Sequence, residues 1–308
     1  MVRLATRGST LARAQARLVA GAIVRAMPSC CVEEVVIRTT GDRIVDRPLR
    51  AFGDKAVFVR EIEDALRRGL ADAGVHSAKD LPVTLPGGLA LGAVPGRDDP
   101  RDAVITRDGR PLADLPAGAR IGTSSLRRRG QLLRLRPEAV CLDVRGNVDT
   151  RLAKLDAGMY DALILAVAGL NRLGVTGRPI EVLEPEVMVP ATGQGALAVE
   201  VPAVTALGPV WRAIDDAAVR ECVEVERLFV RRLGADCHTA VGCLCCREGA
   251  DLSLRGMVCS PDGRRWLEVT MRGPAGGGAA LADAAADDLL RRGAAEILQT
   301  ARDAAARQ

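Results

Sequence analysis

Apolar and polar positions change period repeatedly over roughly the first 200 residues. Strand-length apolar runs are expected at Val2–Thr6, Val35–Thr39, the start of Gly74–Pro82, Ala119–Thr123, Ala139–Val144, Tyr160–Ala166 and Leu197–Val201. Between them the spacing turns helical. One face is expected to carry Leu11, Gln15, Leu18, Ala22 and Ile23 behind a Ser9 cap, and another Ile62, Ala65, Leu66 and Leu70 within 57–70. Helix formers also run from Ser125 to Arg136, where Pro137 stops them, and over Val148–Asp156, with Asn147 placed as the cap. Strands alternating with helices of this length predict βαβ units and mostly parallel sheets.

Two polar, turn-forming segments break this series. Arg97-Asp-Asp-Pro-Arg-Asp102 suits a crossing into a second lobe, and Pro190-Ala-Thr-Gly-Gln-Gly-Ala196 a return into the strand at Leu197. The expected fold class is therefore α/β, with two periplasmic-binding-protein-like lobes that enclose a hinged cleft. Lobe 1 would comprise residues 1–96 and 195–210, and lobe 2 residues 97–194. From about Pro209 the pattern becomes a long helix, a Cys-rich loop, three strands (at Cys243, Leu252–Val258 and Trp266–Thr270) and an Ala-rich helix. Residues 211–308 thus read as a third, α+β domain, with Pro274-Ala-Gly-Gly-Gly278 as a flexible turn.

Chemistry concentrates where strands give way to helices. Gly122-Thr-Ser-Ser-Leu-Arg-Arg-Arg129 and Arg145-Gly-Asn-Val-Asp-Thr-Arg151 each set cations, and the first unpaired N–H groups of a helix, at the carboxyl end of a strand. Such termini attract carboxylates and phosphates, and strand carboxyl ends are where open α/β sheets bind ligands. The composition is that of a soluble globular protein: 308 residues, 48% hydrophobic, 27% charged, net charge +4. Aromatic residues make up only 2%, too few for the stacking platforms of single-strand nucleic-acid binders. No apolar run has membrane-spanning length and no signal-peptide core opens the chain, so a cytoplasmic location is expected. Nine cysteines, an odd number, read as reduced thiols, with Cys30, Cys31, Cys141, Cys222 and Cys259 as small core residues. His238 with Cys243, Cys245 and Cys246 lacks zinc-knuckle spacing, so no metal is expected.

Several of these segments, in order, resemble one family. Arg7-Gly-Ser-Thr-Leu-Ala12, His76-Ser-Ala-Lys-Asp80, Gly122-Thr-Ser-Ser-Leu-Arg-Arg128, Arg145-Gly-Asn147, Ala166-Val-Ala-Gly-Leu170, Gly193-Gln-Gly195 and Asp236-Cys237 are similar to motifs of the porphobilinogen deaminases, the hydroxymethylbilane synthases. The resemblance implies an enzyme that joins four porphobilinogen molecules head to tail with loss of ammonia, on a covalent dipyrromethane primer, and hydrolyses the product off. It implies Asp80 as the catalytic carboxylate, close enough to a pyrrole N–H to stabilise the cationic azafulvene left when ammonia departs. It implies Cys237 as the thioether-bearing nucleophile.

For the cofactor it implies Arg7, Ser9, Lys79, Thr123, Ser124, Ser125, Arg127, Arg128, Arg145 and Gly146 as ligands. For the substrate it implies Arg7, Lys55, Phe58, Arg145, Arg151, Arg172 and Gln194. Arginine suits these acetate- and propionate-bearing molecules because its planar fork meets a carboxylate bidentately. Two loops depart from the family's more frequent pattern: Ala-Asp-Cys-His-Thr-Ala around Cys237 in place of Gly-Gly-Cys, and Gly53-Asp-Lys-Ala56 in place of Gly-Gly-Lys-Gly. The resemblance also implies a monomer. The competing expectation is a non-catalytic bilobal anion-binding or sensor protein of the same fold; nucleic acid and membrane are not expected partners.

Overall fold

The computed structural model describes residues 1–39, 59–235 and 239–306. Two five-stranded sheets and one three-stranded sheet organise them. The first sheet holds β1 (Val2–Arg7), β2 (Val32–Ile37), β3 (Ala73–Ser77), β4 (Leu89–Ala93) and β10 (Leu197–Pro202), in the order β2-β1-β3-β10-β4. Only β2-β1-β3 runs parallel; β10 lies antiparallel to both β3 and β4. The second sheet repeats the plan with β5 (Asp102–Thr106), β6 (Arg120–Gly122), β7 (Val140–Leu142), β8 (Ala162–Ala166) and β9 (Glu181–Leu183), in the order β7-β6-β8-β5-β9. There β7-β6-β8 is parallel and β5 is antiparallel to both neighbours. Each sheet is therefore mixed, because the chain enters or leaves it along a strand that opposes the βαβ units.

The helices cover these sheets with their apolar faces. On α1 (Thr10–Ala26) the buried positions are Ala12, Gln15, Ala16, Val19 and Ile23, whereas Leu18 points outward at 50% exposure. The inward face is thus rotated from the expected one, since the small Ala12 and Ala16 let the helix lie close on β1 and β3. The helix α2 (Arg60–Arg67) buries Ile62, Ala65 and Leu66, while Leu70 lies beyond its end and is exposed. The helices α3 (Leu126–Leu135) and α4 (Val148–Asp156), with α5 (Val167–Arg172), serve the second sheet. Its two faces bury separate clusters, one around Ile105, Leu155, Leu163 and Leu165, the other around Val104, Ile121, Leu132 and Ile164.

The expected long helix after Pro209 is two helices, α6 (Gly208–Ile214) and α7 (Ala217–Arg232). Asp216 breaks it by capping α7, its carboxylate accepting from the N–H groups of Ala218 and Val219. Val210, Trp211 and Ile214 of α6 belong to the first sheet's core, so that core includes a helix that runs past residue 210. The Ala-rich C-terminal stretch is likewise two helices, α8 (Gly278–Arg291) and α9 (Ala294–Ala306). Together with α7 they pack on the antiparallel meander β11 (Val241–Glu248), β12 (Asp251–Cys259) and β13 (Trp266–Pro274). Cys222, Cys243, Cys245 and Cys259 are buried as small apolar residues are; Cys31, against expectation, is exposed. Among the described residues no helix is long and apolar enough to cross a membrane.

Candidate active site

The two crossings between the sheets run side by side. Arg97 and Ala196 form an antiparallel bridge; the Asp98 N–H donates to Gly195 O at 3.1 Å and the Leu197 N–H to Gly96 O at 3.3 Å. Gly193, at φ +69°, lies against the one-turn helix Ala78–Asp80 that follows β3: a Cβ there would stand 3.0 Å from Ala78 Cβ and 3.1 Å from Lys79 N. The return crossing is thus packed directly on the turn that carries Lys79 and Asp80.

Arg97 is anchored by α7. Its Nη1 donates to Glu226 Oε1 at 2.6 Å and its Nε to Gln194 O at 2.9 Å. Glu226, fully buried, also accepts from Gly193 N at 2.6 Å and Cys245 N at 2.8 Å. Burial alone would lower the Arg97 guanidinium's pKa, but Glu226 overrides it and the net direction is upward. Next along α7, Arg227 Nη2 donates to the Pro82 and Val83 carbonyls at 2.7 and 2.9 Å, just after the Asp80 turn. One helix of the C-terminal unit therefore grips both sides of that turn.

On the second sheet, Ser125 caps α3 and accepts from Arg128 N, while Ser124 Oγ joins β7's end to the turn by donating to Val144 O at 2.8 Å and accepting from Val144 N at 3.0 Å. Arg127 and Arg128 sit in the first turn of α3, but neither is simply an open carboxylate receptor. Arg127 Nη1 donates to Asp102 Oδ2 at 2.7 Å and to Val189 O at 2.6 Å. Arg128 donates Nε and Nη2 to Asp102 Oδ1 at 3.0 and 2.6 Å and Nη1 to Ile164 O at 2.9 Å. Asp102 is completely buried; desolvation would raise its pKa, yet the two arginines hold it below the usual carboxylate range. Gln194 completes the cluster, its Nε2 donating to Asp102 Oδ1 at 2.9 Å and to Pro100 O at 2.7 Å, while its Oε1 accepts from Lys79 Nζ at 3.3 Å.

Arg145 follows β7, and Arg151 reaches back from α4 to donate Nε to Gly146 O at 2.8 Å. The Arg151 guanidinium is pushed down to about 10, first by burial, then by the charges of Arg128 and Arg145, with Asp80 acting the other way. Arg145 is lowered too, chiefly by burial. Arg151 of one sheet is thus within electrostatic reach of Asp80 of the other, and of Arg128 and Arg145. Ser9 caps α1, accepting from Ala12 N at 3.3 Å, at the end of β1 where Arg7 stands.

Three expected positions differ from this cluster. Arg172 is drawn into the crossings: its Nη2 donates to Gly195 O, its Nε lies 3.9 Å from Asp98 Oδ2, and its side chain is only 5% exposed, with burial lowering its pKa. Gln194, 1% exposed, faces Asp102 and Lys79. Asn147 takes the cap position of α4 without a side-chain capping bond. Lys55, Phe58 and Cys237 lie outside the described residues. Asp102, Arg97 and Glu226 are the residues that sequence reasoning missed.

A pair of α/β sheets that gather arginines at their strand ends beside Asp80 and Asp102, with a third unit gripping the crossings, fits an enzyme for small molecules rich in carboxylates. Residues 2–206 match the family model described as "Porphobilinogen deaminase, dipyromethane cofactor binding domain", and residues 220–291 that described as "Porphobilinogen deaminase, C-terminal domain". The porphobilinogen deaminase of Roseiflexus sp. (strain RS-1) is 48% identical over 300 residues, covering 96% of this chain and 97% of the relative. That of Stenotrophomonas maltophilia (strain R551-3) is 46% identical over 298 residues, covering 96% and 98%. The chain belongs to the porphobilinogen deaminase family. It is a transferase of tetrapyrrole biosynthesis that condenses porphobilinogen into linear hydroxymethylbilane, with dipyrromethane as its cofactor.

Proposed function

We propose that Asp80 is the catalytic carboxylate of this condensation, that Cys237 bears the cofactor through a thioether, and that the arginines around Asp80 hold the carboxylates of cofactor and substrate. The observation that carries the assignment is the geometry of the Asp80 turn, against which Gly193 packs and whose Lys79 is tied through Gln194 to Asp102, with the buried, crowded Arg151 beside it. The Arg151 charge is disfavoured by burial and by Arg128 and Arg145, with Asp80 the carboxylate that offsets them. A bound acid relieves such a site; each pyrrole ring of dipyrromethane or porphobilinogen brings two carboxylates, so the donor set fits the group. When bound, dipyrromethane supplies a nucleophilic pyrrole carbon to which new rings are added.

The chain's own residues do the rest. Arg145 and Arg151 orient carboxylates, Arg128 adds positive potential from behind Asp102, and the α3 terminus with Thr123 and Ser125 presents backbone and hydroxyl donors. Asp80 accepts a hydrogen bond from a pyrrole N–H, stabilises the positive charge that develops as ammonia leaves, and takes or returns a proton there. Arg7, Ser9, Lys79, Ser124, Arg127 and Gly146 complete the cofactor surroundings, and Lys55, Phe58, Arg172 and Gln194 those of the substrate. In this reading Ser124, Arg127 and Arg172 act through the elements they hold in place.

We also propose the domain limits 1–96 with 195–210, 97–194 and 211–308, except that the limit after 210 moves to the end of α6 at Ile214, since α6 packs in the first unit's core, and a cytoplasmic monomer without nucleic-acid partners. The test is the intact mass of the denatured protein beside Cys237→Ser. An increment of two pyrrole units in the parent and its absence from the variant supports the attachment site. Retention of the increment by the variant excludes it.

A further inference from the structure

We infer that Asp102, which no part of the mechanism above uses directly, is a positioning residue that holds Lys79 beside Asp80 through the side-chain amide of Gln194. Three elements that are distant in sequence meet here: β5 carries Asp102, the return crossing carries Gln194, and the turn after β3 carries Lys79. An amide can be turned either way, but this one has a single compatible orientation. Its Nε2 faces two acceptors, Asp102 Oδ1 at 2.9 Å and Pro100 O at 2.7 Å, so its Oε1 must face the Lys79 ammonium at 3.3 Å. Turned over, the amide oxygen would oppose a carboxylate and a carbonyl while the NH2 group opposed an ammonium.

Asp102 can impose this order because it is itself fixed. It is fully buried and accepts from Arg127 and Arg128 as well as from Gln194, so the carboxylate cannot rotate without breaking charge-assisted bonds. Gln194 is fixed too, its carbonyl held by Arg97 Nε and its N–H donated to Ala191 O. The relay therefore runs from a strand of the second sheet, through the crossing, to the residue preceding Asp80. It ties the position of a cation at the reacting end of the first sheet to the second sheet's arginine cluster.

The inference rests on the reading of Lys79 and Asp80 given above, and the experiment separates the two. Steady-state kinetics on the full-length holoenzyme would compare Asp102→Asn, Lys79→Met and the double variant, with thermal unfolding of each. Acting through Lys79, Asp102→Asn should lower kcat/KM about tenfold, with the same split between kcat and KM as Lys79→Met. The double variant should lose no more than Lys79→Met alone. Losses that multiply to about a hundredfold would overturn the relay while leaving Lys79 and Asp80 in their roles. Full activity of Lys79→Met would overturn the relay together with the role of Lys79, and full activity of Asp80→Asn would remove the wider reading. If Asp102→Asn does not fold, because two buried guanidinium groups lose their carboxylate, Gln194→Leu gives the same cycle with Asp102 and both arginines intact. Additivity of Gln194→Leu with Lys79→Met overturns the relay equally.

Discussion

Replacing Gly193 by alanine tests whether the return crossing sets the position of Asp80. Two costs can be worked out beforehand. The first is conformational: at φ +69° an L-residue with a Cβ loses about 1–2 kcal/mol. The second is contact: the new Cβ would stand 3.0 Å from Ala78 Cβ and 3.1 Å from Ala78 C and Lys79 N, so the backbone of the Asp80 turn must yield by a few tenths of an ångström. Crowding of this kind adds about 1 kcal/mol or more. Gly69 supplies the control, since it has φ +68° but nothing within 4 Å of where a Cβ would stand, so Gly69→Ala carries the conformational cost alone.

Both variants should lose stability in urea, Gly193→Ala by roughly 1 kcal/mol more than Gly69→Ala. They should differ more sharply in turnover. A misplacement of about 1 Å at a reacting group can cost on the order of a hundredfold, so a few tenths should cost several-fold in kcat for Gly193→Ala and nothing for Gly69→Ala. Ammonia release at saturating porphobilinogen, well below the unfolding midpoint, measures this. Equal kcat for the two variants would refute the idea that the crossing positions the catalytic turn.

Glu226→Ala should cost about 3–5 kcal/mol by stranding the buried Arg97 charge, and Arg97→Met with Glu226→Leu together should cost much less; urea midpoints decide between them. Asp80→Asn should reduce kcat by about 10²- to 10⁴-fold with little change in unfolding midpoint, because the carboxylate is partly exposed and outside the core clusters. In the Cys237→Ser background, Arg151→Met should stabilise the protein at neutral pH. The folded-state value of about 10 lies below the ordinary 12.5, so the charged guanidinium costs up to about 3 kcal/mol below pH 10, a cost that fades as pH rises toward 12.5. Thermal unfolding at pH 7 and pH 10.5 should show the gain shrinking with pH.

The local parts of this design were legible from the chain. Ser9 caps the helix it precedes as expected, whereas Asn147 takes its cap position without a capping bond, and both arginine motifs fall where a strand ends. What stayed hidden was pairing across long sequence distances. Arg127 and Arg128 read as open cations because their partner stands about 25 residues earlier, in a segment that looked like a polar linker. A signal was present: Asp102 opens the otherwise apolar run Asp-Ala-Val-Ile-Thr, and a charge at the mouth of a buried strand must be paired. Glu226 gave the same sign, sharing the inward face of α7 with Cys222, Val223, Phe229 and Val230. The antiparallel direction of β5 and β10 could not be read locally, since strand direction is set by where the chain crosses and leaves no mark on the apolar pattern.

These two buried carboxylates explain how a site crowded with cations can fold at all. Asp102 neutralises part of the charge at the head of α3, and Glu226 neutralises Arg97 at the crossings, so their arginines serve as structural ties. Arg151 is in a different position: burial and the charges of Arg128 and Arg145 outweigh the help that Asp80 gives it, and its lowered value records the resulting penalty. On the assignment proposed above, this division is functional. Charge that must stay put is neutralised inside the protein, while a substrate carboxylate arriving at Arg151 would relieve the remaining penalty, so that the free energy of relieving it would go into binding.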